Sequence, residues 1–300
     1  MPLSIKICVS ITVAILASVG TNMVRPVTTD ARLKTEWFWA MKTHDTDDVD
    51  LIIYGDSRVS QAVDTRPLQT LFPDVTARNL GYAGAGFNPE MYTHLRRIAE
   101  GKESRMIILL GITPYGLTTE AAANEQFREE WRRPKSEVLL RLRLYPLLSV
   151  FEPVAPSMFR NARSQSGMYI THHADGWEEA YELPENPGKW LPIFRRHFQR
   201  TQVDPRNLQA TYTFIRDCRR DGIPVYGFRP PSCRQMEQIE DDHSGFEEAS
   251  FIRDFEAAGG TWLDVADRFA YYSYDGSHLH YKAAKEFSRD LAAAIRATIP

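Results

Sequence analysis

Met106–Leu110 reads MIILL, an apolar run with no polar break. A strand with one wet face alternates polar and apolar residues. A short unbroken run fits a strand covered on both faces, as in a parallel sheet. Val49–Tyr54 (VDLIIY), Val75–Leu80 (VTARNL), Ile223–Phe228 (IPVYGF) and the weaker Thr261–Val265 (TWLDV) read as four further strands. Helical patterns fit between them. Asn88-Pro89 supplies a cap and a first-turn proline; Met91, Leu95 and Ile98 then share one face, and Gly101 follows. Asp204-Pro205 opens a second helix in the same way, with Leu208, Thr211, Ile215 and Cys218 on one face and Gly222 at its end. The last helix is expected from about Tyr281 to Thr298, with Ala284, Phe287, Leu291 and Ile295 inward. This alternation predicts an α/β fold: a three-layer, doubly wound, parallel five-stranded sheet of flavodoxin-like winding. In such sheets ligands bind beyond the carboxyl ends of the strands.

Two stretches lie outside the rhythm. Pro114 to Val203 is too long for one crossover and holds Trp131, Trp177 and Trp190. It reads as a large insertion or lid at about 114–203, with a helix over Ser136–Leu144 ending before Pro146. At the other place, Ile7 to Gly20 carries no charge and follows Lys6. These residues cover about 21 Å as a helix, short of the ~30 Å hydrocarbon core. Residues 1–24 therefore read as a signal peptide or signal anchor, standing clear of the domain. Residues 25–48 read as a linker and 49–300 as the α/β domain. The expected location is extracytoplasmic, membrane-anchored or secreted.

Net charge is −3, so no basic excess advertises a nucleic-acid partner. Cys8, Cys218 and Cys233 are too few for a disulfide scaffold or a tetrahedral zinc site, although Cys218 and Cys233 could pair in an oxidising compartment. His172-His173-x-Asp175 offers metal-ligand residue types without a spaced partner. No metal or organic cofactor is expected.

Three places carry chemistry. Gly55-Asp56-Ser57-Arg58 follows the first strand, so Ser57 stands at a strand's carboxyl end and at the start of a helix. Free N–H groups there favour developing negative charge. Asp56-Ser57 is equally a helix cap. Asp275-Gly276-Ser277-His278 precedes the last helix. An aspartate three residues before a histidine, across a glycine turn, can orient the ring while the ring takes a serine proton. Asn79-Leu80-Gly81-Tyr82-Ala83-Gly84 follows the second strand, where the Gly84 N–H is placed to face a ligand.

In order and placement the three resemble the SGNH (GDSL-type) hydrolase superfamily. The nucleophile block looks like IIYGDSRVSQ, the glycine block like NLGYAGAG, and the Asp-x-x-His block like DGSHLHYKAAKEF. The resemblance implies Ser57 as nucleophile, His278 as base, Asp275 as its orienter, and the N–H groups of Ser57 and Gly84 as oxyanion donors. The family's third block, Gly-x-Asn-Asp, is replaced by Gly111-Ile112-Thr113-Pro114, which makes the Thr113 hydroxyl a candidate oxyanion donor. Arg58 and Arg229 are candidates for substrate binding.

The altered block, the N-terminal run and the long insertion resemble the envelope-tethered branch of the superfamily. That likeness implies a serine esterase or O-acyltransferase acting on an acylated cell-envelope carbohydrate or a small ester. It also implies membrane association through the N-terminal segment and a membrane-bound acyl donor as partner. The alternative is a catalytically inactive, membrane-attached carbohydrate-binding protein.

Overall fold

The computed structural model describes residues 2–23, 35–103, 105–148, 167–265 and 267–298. Among the described residues seven strands follow in chain order: β1 (Leu51–Tyr54), β2 (Ala77–Asn79), β3 (Ile107–Gly111), β4 (Gly167–His172), β5 (Glu178–Leu183), β6 (Val225–Phe228) and β7 (Thr261–Trp262). Five of them form one sheet in the order β2-β1-β3-β6-β7, with every pairing parallel. This is the strand order of a flavodoxin-like winding. Each of the five overlaps a run read as a strand from the sequence, although β3 extends one residue beyond its run, to Gly111, and β7 keeps only two residues of its run.

The unbroken apolar runs have a simple cause. Leu51, Ile53 and Leu109 pack on one face of the sheet with Val59, Phe287 and Leu291. Ile52, Tyr54, Ile108 and Leu110 pack on the other with Leu95, Ile98 and Ile215. Helices Ser57–Ala62 and Tyr281–Thr298 thus cover one face, and Pro89–Ala99 and Pro205–Arg220 the other. Phe287 is fully buried, so cutting it to Ala would cost roughly 3–5 kcal/mol. Both proline-started helices have the expected caps: the side chains of Asn88 and Asp204 accept the N–H groups of Met91 and Arg206.

The stretch from 114 to 203 contains helices Glu125–Arg132, Lys135–Leu148 and Leu191–Phe198. Its β4 and β5 pair as an antiparallel hairpin apart from the main sheet. The helix expected to stop before Pro146 runs on to Leu148. A proline this close to a helix end disturbs only the bonds of the last turn. The hairpin is fastened to the domain by Trp177, fully buried, whose indole donates to the carbonyl of Gln61 at 3.0 Å.

One expectation needs correction. Residues 25–48 are not all linker. Helix Thr35–His44 packs on the domain, with Phe38 and Lys42 fully buried and Trp39 nearly so. Its sequence is too short and too mixed in polarity to show this, because the partners, Tyr82 and His172, come from distant elements. Cys218 and Cys233, whose pairing the sequence left open, are free thiols, and Cys218 is buried on the core-facing side of helix Pro205–Arg220.

At the N-terminus, helix Leu3–Met23 keeps Ile7, Ile11 and Ile15 exposed at 50%, 54% and 41%. Among the described residues no helix is long and apolar enough to cross a membrane.

Candidate active site

The carboxyl ends of β1 and β2 and the loop before the last helix converge. Asp56 caps helix Ser57–Ala62 by accepting the N–H of Arg58 at 2.9 Å, and this turn leaves Ser57 half-buried at the cleft. Ser57 Oγ lies 2.8 Å from His278 Nε2. His278 Nδ1 lies 2.8 Å from Asp275 Oδ2. A ring nitrogen beside a carboxylate carries the proton, so Nε2 is left as the acceptor for the serine hydroxyl. Residues 57 and 278 are brought together only by the sheet and the last helix.

The Asp275 loop is held on all sides. Oδ1 of Asp275 accepts the N–H groups of Ser277 at 2.9 Å and His278 at 2.7 Å. Ser273 Oγ donates to the His278 carbonyl and accepts the N–H of Gly276. Gly276 has φ +90°, and a Cβ there would meet the Pro187 carbonyl oxygen at 2.2 Å. Burial alone would raise the Asp275 carboxyl, but the His278 ring and the two N–H donors hold it below the usual carboxylate range.

The glycine loop takes its shape from Asn79. This fully buried side chain donates to the carbonyls of Val59 and Val63 at 2.9 and 2.8 Å, and accepts the N–H of Gly81. It ties the end of helix Ser57–Ala62 to the loop. Gly84 follows in the left-handed region, φ +64°, and its carbonyl accepts from Asn124 at 3.0 Å. Among the described residues no acceptor takes the N–H of Ser57 or Gly84. Both groups border the cleft, as oxyanion donors must.

Thr113 lies at the end of β3, as expected, but its hydroxyl does not face the cleft. It is fully buried, donates to Asp56 Oδ2 at 2.7 Å and accepts the N–H of Gly116. As placed, it braces Asp56, the residue before Ser57, and offers no donor to the cleft. Arg58 lines the cleft but is 2% exposed; its guanidinium donates to Ser277 Oγ at 3.1 Å and pairs with Glu240. Arg229 does not line the cleft. Glu237, Glu240, Asp241 and Glu248 surround it, so its charge is spent inside the protein. Burial would raise the Glu240 carboxyl, but the two arginines hold it ionised. The expectation that Arg229 binds substrate is therefore corrected; it anchors helix Arg234–His243.

His172 and His173 face carboxylates of β5: His172 Nε2 is 3.5 Å from Glu178, and His173 Nε2 is 2.9 Å from Glu179. Among the described residues no group of three metal-ligating side chains gathers.

The cleft measures about 580 Å³. Its apolar walls come from Trp39, Met168, Ile170, Trp190, Ile193 and Phe194, and it can hold a small ester or one sugar ring beside Ser57. Sequence reading missed Trp190, whose indole donates to Asp275 Oδ2 at 2.8 Å. It also missed Lys42. That ammonium is wholly buried, donates to the Gly81 carbonyl at 2.5 Å and Ser60 Oγ at 3.2 Å, and sits over the ring of Phe38. Ser60 in turn donates to Glu178 of the hairpin. A lone lysine within FWAMK was the available signal. Trp190 had none, being 85 residues from Asp275. Comparison with protein-family models finds none that matches the chain, and comparison with curated proteins finds no match. What the site can do is therefore argued from its own geometry.

Proposed function

We propose that this protein is a serine esterase or O-acyltransferase of the SGNH type, acting on an acyl ester of a cell-envelope carbohydrate. One observation carries the reading: the unbroken line from Ser57 Oγ through the His278 ring to Asp275, with 2.8 Å at each junction. Ser57 Oγ attacks the acyl carbonyl while His278 Nε2 takes its proton. Asp275 stabilises the imidazolium so formed. The carbonyl oxygen, now negative, takes the N–H groups of Ser57 and Gly84. His278 returns the proton to the leaving alcohol, and an acyl-enzyme remains. A second hydroxyl, from water or a sugar, enters by the reverse sequence.

The stretch at 114–203 is, in this reading, an insertion into the family's fold that walls the cleft with aromatic and apolar side chains. Such walls suit the faces of a sugar ring or a short acyl chain. Placement outside the cytoplasm is supported by the N-terminal helix, which carries no charge from Ile7 to Gly20 and leaves Ile7, Ile11 and Ile15 exposed. A membrane-bound acyl donor would meet the protein there.

The test is incubation of the folded protein with a fluorophosphonate, followed by mass spectrometry. The adduct is expected on the Ser57 peptide and absent in Ser57→Ala. Folded protein that takes no label would overturn the reading.

A further inference from the structure

Asp275 accepts four hydrogen bonds, and they do not all come from its own loop. Its Oδ1 takes two backbone N–H groups, from Ser277 and His278. Its Oδ2 takes the His278 ring and also the indole N–H of Trp190, each at 2.8 Å. Trp190 belongs to the 114–203 stretch and stands immediately before helix Leu191–Phe198. Its backbone N–H reaches the Asp275 carbonyl at 3.3 Å, and that of Asn186 reaches the Tyr274 carbonyl at 3.0 Å. The Trp190 ring lies edge-on to the His278 ring, centroids 6.4 Å apart, and forms part of the cleft wall.

We propose that Trp190 is a positioning residue of the triad, a second donor that fixes the Asp275 carboxylate and couples it to the seating of the 184–198 segment against the cleft. The proposal rests on the acyl-transfer reading above. Its physics is a competition on one oxygen. The indole donor draws charge from Oδ2 and limits how strongly that oxygen holds an imidazolium. It also stops the carboxylate from turning about its side-chain axis. Without the indole, Oδ2 keeps one donor, and its charge acts on the His278 ring alone. The orientation of the ring is less well held, so reaction at the plateau slows.

Other ionisable groups share the surroundings. Asp56 and Arg58 stand on the nucleophile turn, and Tyr274 is stacked on His278. His172 and Glu178 face the cleft from the hairpin, and Glu120 and His197 from the opposite wall. The Trp190 indole N–H goes to Asp275 and to none of these groups, and burial keeps His197 below the usual histidine range. A change at Trp190 is therefore read through His278.

The experiment follows the second-order rate of labelling by a fluorophosphonate across pH 5 to 9, in wild type and Trp190→Phe. The acid limb of the profile is expected to move up by about half a unit to one unit in the variant. The plateau rate should fall several-fold, about three- to tenfold. A limb that stays in place or moves down, with any loss of plateau rate, overturns the proposal and leaves Trp190 as a wall. Where Trp190→Phe does not fold, site-specific replacement by benzothienylalanine keeps the ring size and deletes only the N–H, and the same shift is expected. Wild-type protein that takes no label overturns the triad reading and this proposal together. Labelled wild type with an unmoved limb in the variant overturns this proposal alone.

Discussion

The parallel sheet and the 114–203 stretch contribute different things to one cleft. From the sheet and its loops come Ser57, Gly84, Asp275 and His278, each beyond a strand's carboxyl end or before the last helix. From the other stretch come Met168, Ile170, His172 and Glu178 on the hairpin, and Trp190, Phe194 and His197 around one short helix. The first set is placed by backbone geometry that any doubly wound sheet offers. The second is placed by side-chain contacts: Trp177 on Gln61, Trp190 on Asp275 and Glu178 on Ser60. The proposed reacting groups and the cleft walls thus lie on separate lengths of chain, and substitutions in the two should fail in different ways.

The largest effect is expected on the sheet side. Ser57→Ala should lower turnover of p-nitrophenyl acetate by at least about 10³-fold while leaving the unfolding midpoint near wild type, since Ser57 is only half-buried. Retained turnover would end the division of labour at once. Next comes Glu240, which bridges Arg58 behind the nucleophile to Arg229. Glu240→Leu strips two buried guanidiniums of a shared partner and should cost roughly 3–5 kcal/mol in urea unfolding. A loss below about 1 kcal/mol would show that the remaining carboxylates around Arg229 suffice.

A smaller, pH-dependent effect is expected where the two regions meet. Burial lowers the Lys42 ammonium to about 7, with Glu178 and Asp175 opposing. The unfolded chain titrates it near 10.5. Between those values the unfolded state binds the extra proton, so this residue's contribution to stability is lowest below pH 7 and rises with pH up to about 10.5. From pH 7.5 to 9, wild type should gain up to ~1.4 kcal/mol per pH unit relative to Lys42→Met. Parallel pH profiles for the two proteins would mean that Lys42 stays charged in the fold. The smallest effect on activity belongs to Thr113→Val, which leaves Asp56 Oδ2 and the Gly116 N–H each short of a partner. Stability should drop by about 1–3 kcal/mol, with kcat falling less than about tenfold. A fall of about 10²-fold at unchanged KM would instead place the hydroxyl at the oxyanion.

Much of the scaffold was legible. Runs such as MIILL and LIIY need cover on both faces, and the proline-started helices announce their own first turns. The places of Ser57, Gly84, Asp275 and His278 followed from that order. The arginines were not legible. Arg58 and Arg229 look alike in sequence, but one lines the cleft and the other is enclosed by four carboxylates. Three of these lie on helix Arg234–His243, whose apolar face says only which side is buried. Thr113 was placed at the right strand end, yet the direction of its hydroxyl depended on Asp56, which lies on a neighbouring strand's loop.

By itself the sequence determined the five strands of the main sheet, the strand order's class and the loops that carry the candidate triad, but not the hairpin of β4 and β5, because local periodicity and turn chemistry act over a few residues. The tertiary structure alone decided which side chains share an oxygen, which charges cancel, and that helix Thr35–His44 belongs to the domain. Those outcomes depend on distances between residues far apart in the chain. Hydrogen bonds and ion pairs are set by separations of about 3 Å, and no pattern in the one-dimensional order of residues encodes a separation of that kind.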